Sequence, residues 1–234
     1  EYTQQRLRLR LLEQQEQLMR FAREISSREV SRAVFLARAE AFASIFPELQ
    51  GLTWIDDKKL VRVSFNTASR SDRYQKSSGS IISAPDTVDN FQTVRDLLLP
   101  IYSTPHAVPN MAAVLQLHLP LIDKAQFKGD LMAEYSIDAL YRYGVPFEIT
   151  SKYAVSFHDA LGRPLAGTSV TEGSLKRRFL PWANPINAYE IPVSPVGNGL
   201  TIRGQVYRTS LGLIGSGLFW LVMLLGGLGM ASAT

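Results

Sequence analysis

The chain has 234 residues, of which 46% are apolar and 20% charged, with a formal net charge of +4. That composition can bury a substantial core, in one large domain or two small ones, and it excludes wholesale disorder. The absence of cysteine excludes disulfides and thiolate chemistry.

Much of the positive charge lies in the first 38 residues, on Arg6, Arg8, Arg10, Arg20, Arg23, Arg28, Arg32 and Arg38. This reads as a basic solvated helix near a membrane rather than a nucleic-acid surface. Residues 2–46 carry a helical stripe of Leu7, Leu11, Leu18, Phe21 and Ile25. The SSRE sequence at 26–29 resembles a capping box and predicts a kink or restart. The stripe resumes with Phe35, Ala39, Phe42 and Phe46, and Pro47 ends it. A helix this long reaches about 60 Å, so its first half is expected to pair with a second copy as a homodimer. The alternative is a single amphipathic helix lying on its own domain.

Residues 52–56 and 60–65 flank a charged turn and read as a β-hairpin. A Ser-, Thr- and Asp-rich loop at 66–89 follows, then a short helix over 91–99 with Val94, Leu97 and Leu98 inward. Residues 100–140 read as an antiparallel meander. An extended segment at 101–106 and a loop with Pro109 lead to a long apolar strand at 112–122. A polar turn over 123–129 and a strand over 130–135 come next, and Ser136 caps a helix. A second, smaller copy then begins, with hairpins over 152–170 and 188–207 and a basic connection between them.

After Arg208 no charged residue appears, and 211–230 is long enough to span a bilayer as a glycine-bearing helix. The expected organisation is a helix at 1–47, a membrane-distal module at 48–149, a smaller membrane-proximal module at 150–208 and a transmembrane helix at 209–232. The start at Glu1 and the end just past that helix read as cuts through a longer protein.

Three segments carry a family resemblance: YSTPH at 102–106, VLQLHLP at 114–120 and GDLMAEYSIDAL at 129–140. They resemble the strand and strand-to-helix signatures of double Cache (tandem PDC) domains, the extracytoplasmic sensors of bacterial transmembrane receptors. The resemblance implies an α+β fold: a long N-terminal helix, two PAS-like antiparallel sheets in tandem and a C-terminal transmembrane helix. It implies a ligand-sensing domain in the periplasm, anchored in the inner membrane and most readily part of a sensor histidine kinase. The fragment itself would not be an enzyme. Glu134 stands where the family usually has its ligand-contacting Asp, and the amino-acid-binding signature of some members has no match.

Strand alternation puts Gln116 and His118 on one face, and Met132, Glu134 and Ser136 on one face. Candidate ligand contacts are Tyr102, Gln116, His118 and Glu134, with Arg62 and Arg95 as partners for a carboxylate. The alternative has the polar residues facing solvent, with Leu115, Leu117 and Leu119 in the core. The ligand is an unidentified small molecule, and no nucleic acid, metal or cofactor is expected. His106, His118 and His158 are too scattered for a metal set. No catalytic motif is present. The competing reading is a membrane-anchored assembly protein whose Arg-rich helix mediates oligomerisation.

Overall fold

The computed structural model describes residues 2–27, 30–67, 78–106, 112–168, 189–193, 195–196 and 199–206. The expected transmembrane helix and the basic connection lie outside these residues. Among the described residues no helix is long and apolar enough to cross a membrane.

The N-terminal helical region is broken where the sequence predicts. Helix α1 spans Tyr2–Ser27 and α2 spans Arg32–Ile45. The cap of α2 is Ser31, outside the SSRE segment, and its side chain accepts from Val34 N at 3.3 Å. The stripe of α1 is not spent on a second copy. Leu7, Leu11, Leu18, Phe21 and Ile25 are all at most 5% exposed within this one chain, packed on its own sheet. This corrects the expectation of pairing through the stripe. A sheet face of leucines was available in the same molecule, and covering it costs no association entropy.

Strands β1 (Leu49–Asp56), β2 (Val61–Asn66), β3 (Ile101–Tyr102), β4 (Val114–Asp123) and β5 (Gln126–Ser136) form an antiparallel sheet in the order β2-β1-β5-β4-β3. One face, with Leu115, Leu117, Leu119, Leu131 and Ala133, packs on α1 and α2. Aromatic contacts Phe21–Phe35 at 5.6 Å and Phe35–Trp54 at 6.3 Å bind the two helices to it. The opposite face is covered by α3 (Pro85–Leu97), through Phe91 against Ile55 and Met132. Helix α3 begins six residues earlier than predicted, with a proline in its first turn.

The β4–β5 turn is tighter than the polar stretch suggests. Only Lys124 and Ala125 leave the strands, at φ 48° and 63°. A two-residue hairpin loop with both residues in the left-handed region matches the twist of the strands. Helix α4 (Ile137–Gly144) starts at its predicted cap, with Ala139 N donating to Ser136 Oγ at 3.2 Å.

After α5 (Phe147–Thr150), strands β6 (Tyr153–His158), β7 (Pro164–Gly167), β8 (Tyr189–Pro192) and β9 (Thr201–Val206) form a second sheet, ordered β7-β6-β9-β8. This is the order of the first sheet without its β3 edge, so the internal repeat read from the sequence exists as topology. Helix α1 touches both sheets. Gln4 Nε2 donates to Pro192 O at 2.9 Å at one end, while Leu18 to Ile25 lie in the core of the first sheet at the other.

Candidate ligand-binding site

The β4–β5 register decides which polar side chains meet. Gln116 stands opposite Glu134, His118 opposite Met132, and Pro120 opposite Asp130. Directly paired residues project to the same face. Gln116, His118, Asp130 and Glu134 therefore form a row on the face beneath α3, each at most 3% exposed. The face is polar but not solvated, so neither reading from alternation holds unmodified. The leucine face is core, and the polar face is buried as well.

The row is hydrogen-bonded along its length. Gln116 Nε2 donates to Glu134 Oε1 at 3.0 Å. Gln116 Oε1 lies 3.4 Å from His118 Nε2 and accepts from Thr87 Oγ1 of α3 at 3.5 Å. His118 Nδ1 is 2.6 Å from Asp130 Oδ2, and Asp130 Oδ1 accepts from Leu119 N at 3.0 Å. Thr53 of β1 extends the polar face outward, sharing a 3.0 Å hydrogen bond with Ser64 of β2. Ser103, just after β3, bonds Gln116 N through its hydroxyl at 2.9 Å. Carboxylate, amide, imidazole and hydroxyl groups thus line one continuous strip. The strip combines hydrogen-bond donors and acceptors.

Of the six residues singled out from the sequence, Gln116, His118 and Glu134 come together. Tyr102 does not join them. It pairs with Leu117 and projects to the α1 face, so its expected convergence with the row is corrected. Its parity follows the pairing of a two-residue strand, which its own sequence does not encode. Arg62 is exposed and sits 4.0 Å from Asp56 Oδ2; Arg95 is exposed in the last turn of α3. Neither reaches the row. Two contributors were missed. Asp130 is two residues from Met132 and opens the strand read over 130–135, so alternation places it on the same face, but it was not singled out as a candidate. Thr87 lay in a stretch read as loop.

On the α1 face a second polar group holds the helix to the sheet. Glu48, fully buried, takes a bidentate contact from Arg10 at 2.5 and 3.0 Å and a hydrogen bond from Gln14. The Glu48 hydrogen bond pushes the Arg10 guanidinium still higher than its usual value. Tyr102 and Tyr135 share this face. Burial pushes both phenols well above the ordinary tyrosine value, and Tyr135 is raised further by Tyr102 and Glu48 nearby. With folded-state values raised, their contribution to stability is complete below about pH 10 and is lost as pH climbs past it. Urea midpoints between about pH 8 and 11 should fall less for a Tyr102→Phe, Tyr135→Phe double variant than for the parent. Parallel curves would contradict this.

No protein-family model matches the sequence, and no curated protein does. Solved structures match the fold. The ligand-binding domain of the Pseudomonas aeruginosa amino acid chemoreceptor PctC, in complex with GABA, aligns at 10% identity over 88% of this chain and 95% of that one, with a TM-score of 0.55. The ligand-binding domain of the Pseudomonas fluorescens chemoreceptor CtaA, in complex with L-serine, aligns at 10% identity over 88% and 92%, with a TM-score of 0.54. The extracellular domain of a histidine kinase, mmHK1S-Z2, aligns at 11% identity over 88% and 92%, with a TM-score of 0.53. Two of these neighbours are described as ligand-binding domains and the third as an extracellular domain.

Proposed function

We propose that this chain, which has the fold of the Cache-type extracellular ligand-binding domains of receptors, senses a small polar molecule with the face beneath α3. The observation that carries the reading is the buried row of Glu134, Gln116, His118 and Asp130, bridged to α3 through Thr87. A strip of this kind is expensive to bury, and recognition accounts for it. Amino acids are the first ligands to try, because two of the structural neighbours were captured with GABA and L-serine. The receptor would be a transmembrane one of histidine kinase type, with this domain in the periplasm and residues 209–232 in the inner membrane.

Helix α1 would carry the signal, since it packs on the first sheet and reaches the second through its first turn and the Gln4–Pro192 hydrogen bond. A ligand that favours one seating of α1 over another shifts the receptor by that difference in affinity. A homodimer along α1 would use its outer face, where Leu9 is 67% and Leu12 37% exposed.

A thermal-shift panel of amino acids, organic acids and amines on the purified chain tests the reading. A true ligand at about a hundred times its Kd should raise the midpoint by about 5 °C or more. Gln116→Ala should remove that shift. A panel with no stabilising compound, or a shift that survives Gln116→Ala, would count against it.

A further inference from the structure

The second sheet holds a cavity that the row beneath α3 does not explain. It measures about 200 Å³ and lies between the first turn of α1 and one face of the sheet. Val155 and Tyr153 of β6, Gly204 and Ile202 of β9, and Tyr189 of β8 make its floor and walls. The register brings them to one face: Val155 opposite Gly204, Gly204 opposite Tyr189, and Phe157 opposite Ile202. Tyr2, Thr3 and Gln4 form the rim on the helix side, fastened there by the Gln4–Pro192 hydrogen bond.

Gly204 is the informative residue. The other glycines whose surroundings are described are explained by a positive φ or by their neighbours. A Cβ at Gly144 would strike Leu7, and one at Gly167 would strike the Val155 carbonyl. Gly204 sits mid-strand without a positive φ, and a Cβ there would meet nothing within 4 Å. A strand glycine gives up side-chain packing and is less stable there than Ala. It is found where a bulge, a bend or a close approach requires it. Here no atom of the described residues makes that approach.

We infer that this cavity is a second ligand site, taking a small, uncharged, flat aromatic molecule. Its size fits one or two fused rings, since an apolar cavity of about 150 Å³ already holds a benzene. The exposed rings of Tyr153 and Tyr189, 41% and 61% accessible, offer edge and face contacts to such a ring. Among the described residues no carboxylate, ammonium or guanidinium lines the cavity, so a charged ligand would be desolvated there without a partner. The Gln4 and Thr3 side chains and the tyrosine hydroxyls allow one polar substituent. A bound ring would touch both α1 and the second sheet, and would bias the seating of the helix independently of the first site.

Calorimetric titration of the purified chain with indole tests this. Saturable one-to-one binding is expected. Gly204→Val should weaken it by at least about tenfold, because the added carbons fill the floor. The same change should leave the thermal midpoint equal or higher, since a β-branched residue suits the strand. Tyr189→Ala, at an exposed edge position, should also weaken binding and gives a second readout that does not disturb the core. Gln116→Ala should leave indole binding unchanged, which separates this site from the one beneath α3. The inference is overturned if indole shows no saturable binding, if both second-sheet variants bind it as the parent does, or if Gln116→Ala abolishes it.

Discussion

Replacing Asp130 with alanine is expected to destabilise the chain by about 3–5 kcal/mol. The carboxylate has no exposed surface and serves two buried donors, Leu119 N at 3.0 Å and His118 Nδ1 at 2.6 Å. Alanine leaves both buried donors without their acceptor, and the penalty for such groups exceeds the net worth of the bonds themselves. Asp130→Asn keeps an oxygen for one of the donors and should lose roughly half as much. Urea denaturation at neutral pH, followed by far-ultraviolet circular dichroism, measures both. A loss below about 1 kcal/mol for the alanine variant would mean that the row is hydrated in solution.

The second large effect is expected at Glu48. Its carboxylate is fully buried, whereas the Arg10 side chain retains 30% of its exposure. Glu48→Ala therefore strands a guanidinium that can still turn partly to water, and Gln14, which cannot. About 3 kcal/mol is expected, at the lower end for a broken buried pair. The double change Arg10→Met, Glu48→Leu should recover the part of that loss due to the stranded guanidinium, because an apolar pair replaces the ions and only Gln14 is left without its acceptor. If the double variant is as unstable as Glu48→Ala, the site does more than balance charge. The clamp also fixes α1 against the start of β1, so its loss should weaken any coupling between the two sheets.

Much of this arrangement was legible in the residues. Helical periodicity found α1 and its break, and period-two alternation put Gln116 with His118 and Glu134 with Met132. Alternation could not say which face would be solvated, because burial on both faces depends on what packs there. The leucines of β4 go against α1, and its polar residues go beneath α3. The start of α3 was hidden in a polar stretch, and with it Thr87. Residues 126–129 were read into a turn because Asp123, Lys124, Lys128 and Gly129 look like one, so Asp130 stood at the first position of its strand and drew no notice. The true reversal uses Lys124 and Ala125 at positive φ, residues that do not advertise a hairpin turn. Tyr102 went to the wrong face because β3 is two residues long, and so short a strand takes its parity from its partner. The stripe of α1 predicted burial correctly but not the partner, since a helix face looks the same whether a sheet or a second helix covers it.

The sensing claim rests on one surface, the face of the first sheet beneath α3. Amide hydrogen exchange, with and without the strongest ligand from the panel at saturation, examines that surface directly. Added protection is expected in β4, β5 and α3, over residues 114–123, 126–136 and 85–97, with a smaller change along α1. Protection confined to the second sheet, or no ligand-dependent change in β4 and β5, would contradict the account.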